Sequence, residues 1–259
     1  MKNWIEIGVT EVGISGGEPF LFPDKVIELV KGLKSLKVKT VRPFSNGFWG
    51  ANRNQAIEIL TALKKAGFGS DAGDRLKISV GEFHQSQVSI EAVMDLCQYH
   101  WEIIGTRCEL DVEQVFHKNM IKQIIAIAKR RHIHDKIEWR LREKFSNSGR
   151  AKNWFKDIKG PTIGLEKLKC PVKSRGALYP EGDWVYCTGT TYPKKFLAQG
   201  TITQNSPFTL LAKAQFDPRI PYLQFGTFSD YSPQSDLRIP EQATACSICP
   251  KIFGGRVNA

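Results

Sequence analysis

No stretch of the 259-residue sequence approaches the roughly 18 to 20 uninterrupted apolar residues of a membrane span. Nor does Met1–Val9 carry the apolar core or small-residue cleavage site of a secretory leader. Both absences predict a cytoplasmic protein with no membrane partner. Cysteine is sparse, with six residues and none before Cys97. Three disulfides are typical of secreted domains much smaller than this one, so the sequence predicts reduced thiols available as metal ligands. Internal repeats and low-complexity tracts are also lacking, which excludes repeat architectures.

Acidic residues are outnumbered, with 26 Asp+Glu against 37 Lys+Arg, a net charge of +11 and a sequence pI near 9.4. That balance favours acidic partners in general without naming one. The densest basic run, Lys129-Arg130-Arg131, closes the apolar-periodic stretch Met120–Ala128. A helix C-terminus favours cations there through its dipole, and this reading is preferred to a nucleic-acid or anionic-peptide site.

With 41% apolar and 24% charged residues the chain is an ordinary globular one, sized for one large domain or one large and one small. Apolar periodicity predicts strands at Glu11–Ser15, Lys39–Ser45, Leu76–Val80, Arg107–Asp111 and Ile137–Arg142. Between them it predicts helices at Asp24–Leu36, Asn54–Ala66, Ser89–Ile104 and Val115–Arg131, with Ser89 as a cap and Gly67 as a stop. Such alternation implies a parallel sheet covered by helices. After Ser146-Asn147-Ser148-Gly149 the texture shifts to Gly, Pro, Lys and aromatics with short strands such as Trp184–Cys187. A boundary near 155 divides the chain into residues 1–155 and 156–259.

The first strand runs into Ser15-Gly16-Gly17-Glu18-Pro19-Phe20. Glycines at a strand end let a ligand approach the backbone, because no Cβ intervenes. Proline fixes the turn and brings no N–H, leaving nearby carbonyls free to accept from a ligand ammonium. A carboxylate beside them adds charge-assisted pairing. The competing reading is a tight strand-to-helix turn with Glu18 in solvent.

The segment Ser15–Phe20 resembles the Gly-Gly-Glu-Pro motif of radical S-adenosylmethionine proteins, where this strand end binds the methionyl amino group. Phe44-Ser45-Asn46-Gly47 resembles that family's next strand end. Ile78-Ser79-Val80-Gly81-Glu82-Phe83-His84 resembles a Ser-x-Asp-x-Phe-His pattern of some members, with Gly81 at the usual aspartate position. Gly149-Arg150-Ala151 resembles a turn that closes the barrel. The resemblance implies a partial (β/α)6 barrel lacking its first strand, in which Gly16, Gly17, Glu18, Pro19, Asn46 and Ser79 contact S-adenosylmethionine. Loops at the strand C-termini of such a barrel can bring these residues and His84 together. Strand-end turn chemistry is the alternative for Asn46 and Ser79, and a structural imidazole for His84. The family's Cys-x-x-x-Cys-x-x-Cys cluster loop has no counterpart here, since Met1–Val9 resembles only the end of the first helix. Cys97 and Cys108 read as small buried apolar residues instead.

Towards the C-terminus, Cys170, Cys187, Cys246 and Cys249 form a four-thiolate set suited to a soft tetrahedral or cluster site. Ala177–Cys187 reads as a hairpin with Gly182 in its turn. The arrangement resembles the twitch domain, the shortened relative of the SPASM domain, whose four cysteines hold an auxiliary [4Fe–4S] cluster. Gln199-Gly200-Thr201-Ile202 resembles the strand that follows that hairpin. Structural zinc uses the same ligands and remains the alternative.

The resemblance therefore implies an enzyme, or a fragment of one, that uses a 5′-deoxyadenosyl radical to abstract hydrogen from a peptide, protein or natural-product substrate. Its cofactors would be S-adenosylmethionine and an auxiliary 4Fe-4S cluster, with a second cluster where the missing loop is supplied and an electron-donor protein as partner. The alternatives are a non-catalytic remnant or partner subunit that binds a cluster or peptide, and a basic zinc protein that binds nucleic acid.

Overall fold

A computed structural model of the chain describes residues 2–82, 87–113, 119–142, 162–167, 170, 176–179, 181–186, 198–217, 219, 225–227, 230 and 238–240. The chain divides into two compact units, Met1–Glu143 and Lys144–Ala259. The compositional boundary near 155 falls inside the second.

A short helix α1 (Lys2–Glu6) opens the first unit. Strands β1 (Glu11–Ile14), β2 (Thr40–Ser45), β3 (Lys77–Gly81), β4 (Cys108–Glu113) and β5 (Ile137–Arg142) then alternate with helices α2 (Pro23–Ser35), α3 (Arg53–Lys65), α4 (Ile90–Ile104) and α5 (Met120–Arg130). Helix α4 begins where the Ser89 side chain accepts from the Ala92 N–H, and it stops at Gly105 with φ of 85°. The predicted start of the α5 helix at Val115 lies outside the described residues.

All five strands are parallel and lie in the order β1-β2-β3-β4-β5. No reversal interrupts that order, so right-handed crossovers place every connecting helix on the same face. The packing agrees. Val41, Ile78, Val80, Cys108, Leu110, Val112 and Ile137 share one core with buried residues of α2, α3, α4 and α5, and the register puts those strand residues on a single face. Each buried Leu, Ile or Val contributes on the order of 1.5–3 kcal/mol from removal of apolar surface from water.

The opposite face is polar. Phe44, Lys77, Glu109 and Glu138 lie in register across β2 to β5, and Ser79, Asp111 and Arg140 form the next row towards the strand C-termini. A parallel sheet buried on both sides by helices carries apolar residues on both faces. This one does not, which marks a singly wound α/β arrangement. The sheet is open: among the described residues β1 and β5 each pair with one strand.

Within the second unit the described elements are β6 (Thr162–Gly164), β7 (Ala177–Leu178), β8 (Asp183–Val185), β9 (Ala198–Thr201), α6 (Pro207–Gln215) and β10 (Arg238–Pro240). Strands β7, β8 and β9 form an antiparallel sheet, and β6 pairs with β10. The predicted hairpin is present. Its turn holds Gly182 at φ of 89°, closed by the Gly182 N–H to the Tyr179 carbonyl and the Tyr179 N–H to the Asp183 carbonyl, both at 2.9 Å.

Candidate functional site at the strand C-termini

Parallel strands deliver all their C-terminal ends to one edge of the sheet, and four of the sequence-predicted residues stand in the loop that leaves β1 there. Ser15, Gly16 and Gly17 are exposed, and Glu18 and Pro19 are half-buried. A Cβ built on Gly16 or Gly17 meets nothing within 4 Å, and neither glycine has its φ in the left-handed region. Neither crowding nor backbone conformation in the described protein therefore requires glycine at these two positions.

Glu18 is not in solvent. Its Oε1 accepts from the Phe20 N–H at 3.1 Å and from Ser45 Oγ at 3.0 Å, and its Oε2 accepts from the Asn46 N–H at 2.7 Å. The carboxylate thus ties the end of β1 to the end of β2, while Pro19 opens a one-turn 3-10 segment, Pro19–Leu21. With three protein donors, most of its accepting capacity is already committed. Charge-assisted capture of a ligand ammonium is left to the second lone pair of Oε2 and to the backbone carbonyls of the Gly16–Gly17 turn.

Asn46 joins the same corner. Its side-chain Oδ1 accepts from the Phe48 N–H at 3.0 Å, an Asx turn that leads into the 3-10 segment Phe48–Ala51. Ser79 lies one residue beyond the pair Ser45 and Ile78 on the neighbouring strand, and it stands in register with Asp111. Glu18 bonds Ser45 and the Asn46 N–H directly, Pro19 follows it in the chain, and Ser79 shares their edge through register. Gly81 faces Glu113 across the β3–β4 ladder. His84 lies outside the described residues.

Below that edge the polar face carries a buried ion-pair cluster that the sequence reading passed over. Lys77 Nζ lies 2.9 Å from Glu109 Oε1 and 2.8 Å from Asp111 Oδ2, and Arg140 Nε lies 3.1 Å from the same Glu109 oxygen. The Glu109 side chain is 1% exposed. Lys77 also rests over the Phe44 ring, 5.3 Å from its centroid. The signal was present in Lys77-Ile78-Ser79-Val80 and Cys108-Glu109-Leu110-Asp111-Val112-Glu113, which alternate where a doubly covered parallel strand would be continuously apolar.

Cys97 and Cys108 are buried in the core, at 1% and 0% exposure. A hydrogen bond to the Cys108 thiol, and then burial, push the Cys97 thiol well above its usual range, so it stays protonated. That suits a packing role. In the second unit Cys170 is half-buried, whereas Cys187, Cys246 and Cys249 lie outside the described residues, as does Gly149-Arg150-Ala151. Among the described residues no group of three His, Cys, Asp or Glu side chains is placed to hold a metal ion. The indole of Trp184 fills the space a Cβ on Gly176 would take, with Nε1 at 2.4 Å.

No protein-family model matches the chain, and no curated protein matches it.

Proposed function

We propose that the chain is the barrel and auxiliary-cluster portion of a radical S-adenosylmethionine enzyme that abstracts hydrogen from a peptide, protein or natural-product substrate. One observation carries the reading. Gly16 and Gly17 are glycines that the described protein has no need of, set in open space at the C-terminal edge of a singly wound parallel sheet with a polar inner face. A ligand backbone or ammonium lying against that turn supplies the missing reason, since a side chain there would occupy its place. The resemblance of Ser15-Gly16-Gly17-Glu18-Pro19 to the radical S-adenosylmethionine motif supports the methionyl end of S-adenosylmethionine as that ligand.

In this reading the partial barrel would be a (β/α)6 barrel without its first strand. Bound S-adenosylmethionine, with a reduced cluster beside it, supplies a 5′-deoxyadenosyl radical. The chain's own residues bind and orient: backbone carbonyls around Gly16 and Gly17 accept from the methionyl ammonium, Glu18 keeps the turn in place, and Asn46 and Ser79 line the neighbouring strand ends. Residues 1–259 hold no Cys-x-x-x-Cys-x-x-Cys loop, so in this reading radical chemistry would require that loop to be supplied on the same polypeptide or by a partner. Among the described residues β1 is an edge strand, able to pair with the first strand that would carry that loop. Apolar surface lies next to it, with Leu21 and Phe22 in the loop before α2 and Leu29 on α2 exposed by 62%, 69% and 53%. Cys170, Cys187, Cys246 and Cys249 would hold an auxiliary 4Fe-4S cluster, and an electron-donor protein would complete the system.

The non-catalytic alternative draws on Glu18, whose three protein donors give it a structural reason to be present. Anaerobic reconstitution with iron and sulfide tests the cluster half of the reading. Bound iron and sulfide with broad absorption near ~400 nm, lost in Cys246→Ala and Cys249→Ala, is the expected result. Zinc alone, with no iron retained, would remove the auxiliary cluster.

A further inference from the structure

The side chains that hold Glu18 form a closed circuit. Ser45 Oγ receives the Gly47 N–H at 3.0 Å and the Trp49 Nε1–H at 2.9 Å, and lies 3.0 Å from Glu18 Oε1. A hydroxyl has one proton to give and two positions at which to accept. An amide and an indole N–H can only donate, so they fill both accepting positions. The single Ser45 proton is left with one destination, the Glu18 carboxylate.

Trp49 grips the loop a second time. Its ring stacks on Phe20 with centroids 4.8 Å apart and planes 24° apart, and both side chains are 1% exposed. Phe20 follows Glu18 and Pro19 directly, so one tryptophan holds the loop through its ring and holds Glu18 through Ser45. The tryptophan is itself seated against α4. A Cβ on neighbouring Gly50 would stand 2.1 Å from the Ala92 carbonyl oxygen, and one on Gly47 would stand 3.1 Å from Ile78 Cγ2. Gly47 also has φ of 81°, a conformation glycine takes without strain.

We infer that Ser45 and Trp49 are positioning residues for the Gly16–Gly17 turn: they fix the Glu18 carboxylate, and through it the backbone groups that meet the ligand. The ligand half of this inference rests on the reading under Proposed function, while the mechanical half does not. Preorganised groups lose less freedom on binding, so loosening the circuit weakens the ligand without touching it.

The test uses Ser45→Ala, which removes the hydroxyl, and Trp49→Phe, which removes the indole N–H together with part of the buried ring while leaving an aromatic ring to face Phe20. Leu60→Val, a change in the fully buried core, controls for loss of stability alone. Amide hydrogen exchange is measured at Phe20 and Asn46, whose N–H groups bond Glu18, and the S-adenosylmethionine dissociation constant is measured on the same 259-residue chains. Faster exchange at both amides in the two variants but not in the control, with affinity weakened on the order of tenfold, is the expected result. Unchanged exchange at these amides overturns the positioning role. So does wild-type affinity in both variants when the wild-type chain binds. Altered exchange in a wild-type chain that binds no S-adenosylmethionine overturns the ligand assignment and upholds the circuit. Should Ser45→Ala not fold, Trp49→Phe alone decides.

Discussion

Replacing Gly17 by alanine separates the two reasons a glycine can have for standing at a strand end. Its Cβ space is empty to 4 Å among the described residues and its φ is not left-handed, so the new methyl meets no described atom and imposes no backbone strain. The unfolded chain loses conformational freedom, so the folded state should gain about 0.4–1 kcal/mol. For a unit of this size that is an increase of a few degrees in Tm, roughly 2–4 °C per kcal/mol. If S-adenosylmethionine lies against the turn, the same methyl pushes its ammonium off one charge-assisted hydrogen bond, worth roughly 1.5–3 kcal/mol. Affinity should then fall between about tenfold and a hundredfold. Thermal melts and calorimetric titration of Gly16→Ala and Gly17→Ala measure both quantities. Gly47→Ala is the contrast, since its φ is 81° and its Cβ would crowd Ile78 and Val93 at 3.1 and 3.2 Å; it should destabilise by about 1–3 kcal/mol. Loss of more than about 1 kcal/mol of stability in Gly17→Ala would make its glycine structural and refute the reasoning. Full affinity in a stable Gly17→Ala protein would refute it as well.

Two further outcomes follow from buried ionisable groups. Burial lowers the pKa of His100 from 6.5 to about 4, with Arg75 adding to the effect and the Thr106 backbone opposing it. Between those values the unfolded chain takes up a proton that the folded chain refuses, so stability is full above pH 6.5 and falls as pH drops through the window. The loss should reach about 2.5 kcal/mol by pH 4.5 relative to pH 7. His100→Leu should lack that part of the loss in urea titrations at the two pH values; an identical loss in both proteins would contradict the assignment. Lys77→Met leaves Glu109 and Asp111 with one cation fewer on a buried face, where the Glu109 side chain is 1% exposed. It should cost about 3–5 kcal/mol in urea unfolding, and a cost below about 1 kcal/mol would show that the cluster is effectively solvated.

The strands and helices of the first unit were legible because each is amphipathic over its own length. β3, predicted at Leu76–Val80, is Lys77–Gly81, and α4, predicted at Ser89–Ile104, is Ile90–Ile104. The parallel sheet was likewise legible in strand–helix alternation. What each strand does with its polar face was not. Glu109 and Arg140 acquire meaning only when register sets them against Lys77, and sequence spacing does not encode register between strands separated by a helix. The same holds for Glu18. Gly16–Pro19 stood out as a strand end, yet the residue that fixes its carboxylate is Ser45, 27 positions away. The spare space around Gly16 and Gly17 is visible only once the surrounding chain is in place. In the second unit the turn residue Gly182 announced the hairpin, because φ of 89° is a local demand that glycine meets.

The central claim is that the strand C-termini of the first unit receive S-adenosylmethionine. Mapping amide chemical-shift changes during a titration with that compound, up to millimolar concentration and at moderate salt, tests it most directly. Saturable shifts concentrated at Gly16, Gly17, Asn46 and Ser79, with the helix-covered face unchanged, are the expected result. Shifts that fail to saturate, or that fall on the basic helix end Lys129-Arg130-Arg131 and spare the Gly16–Gly17 turn, would contradict it.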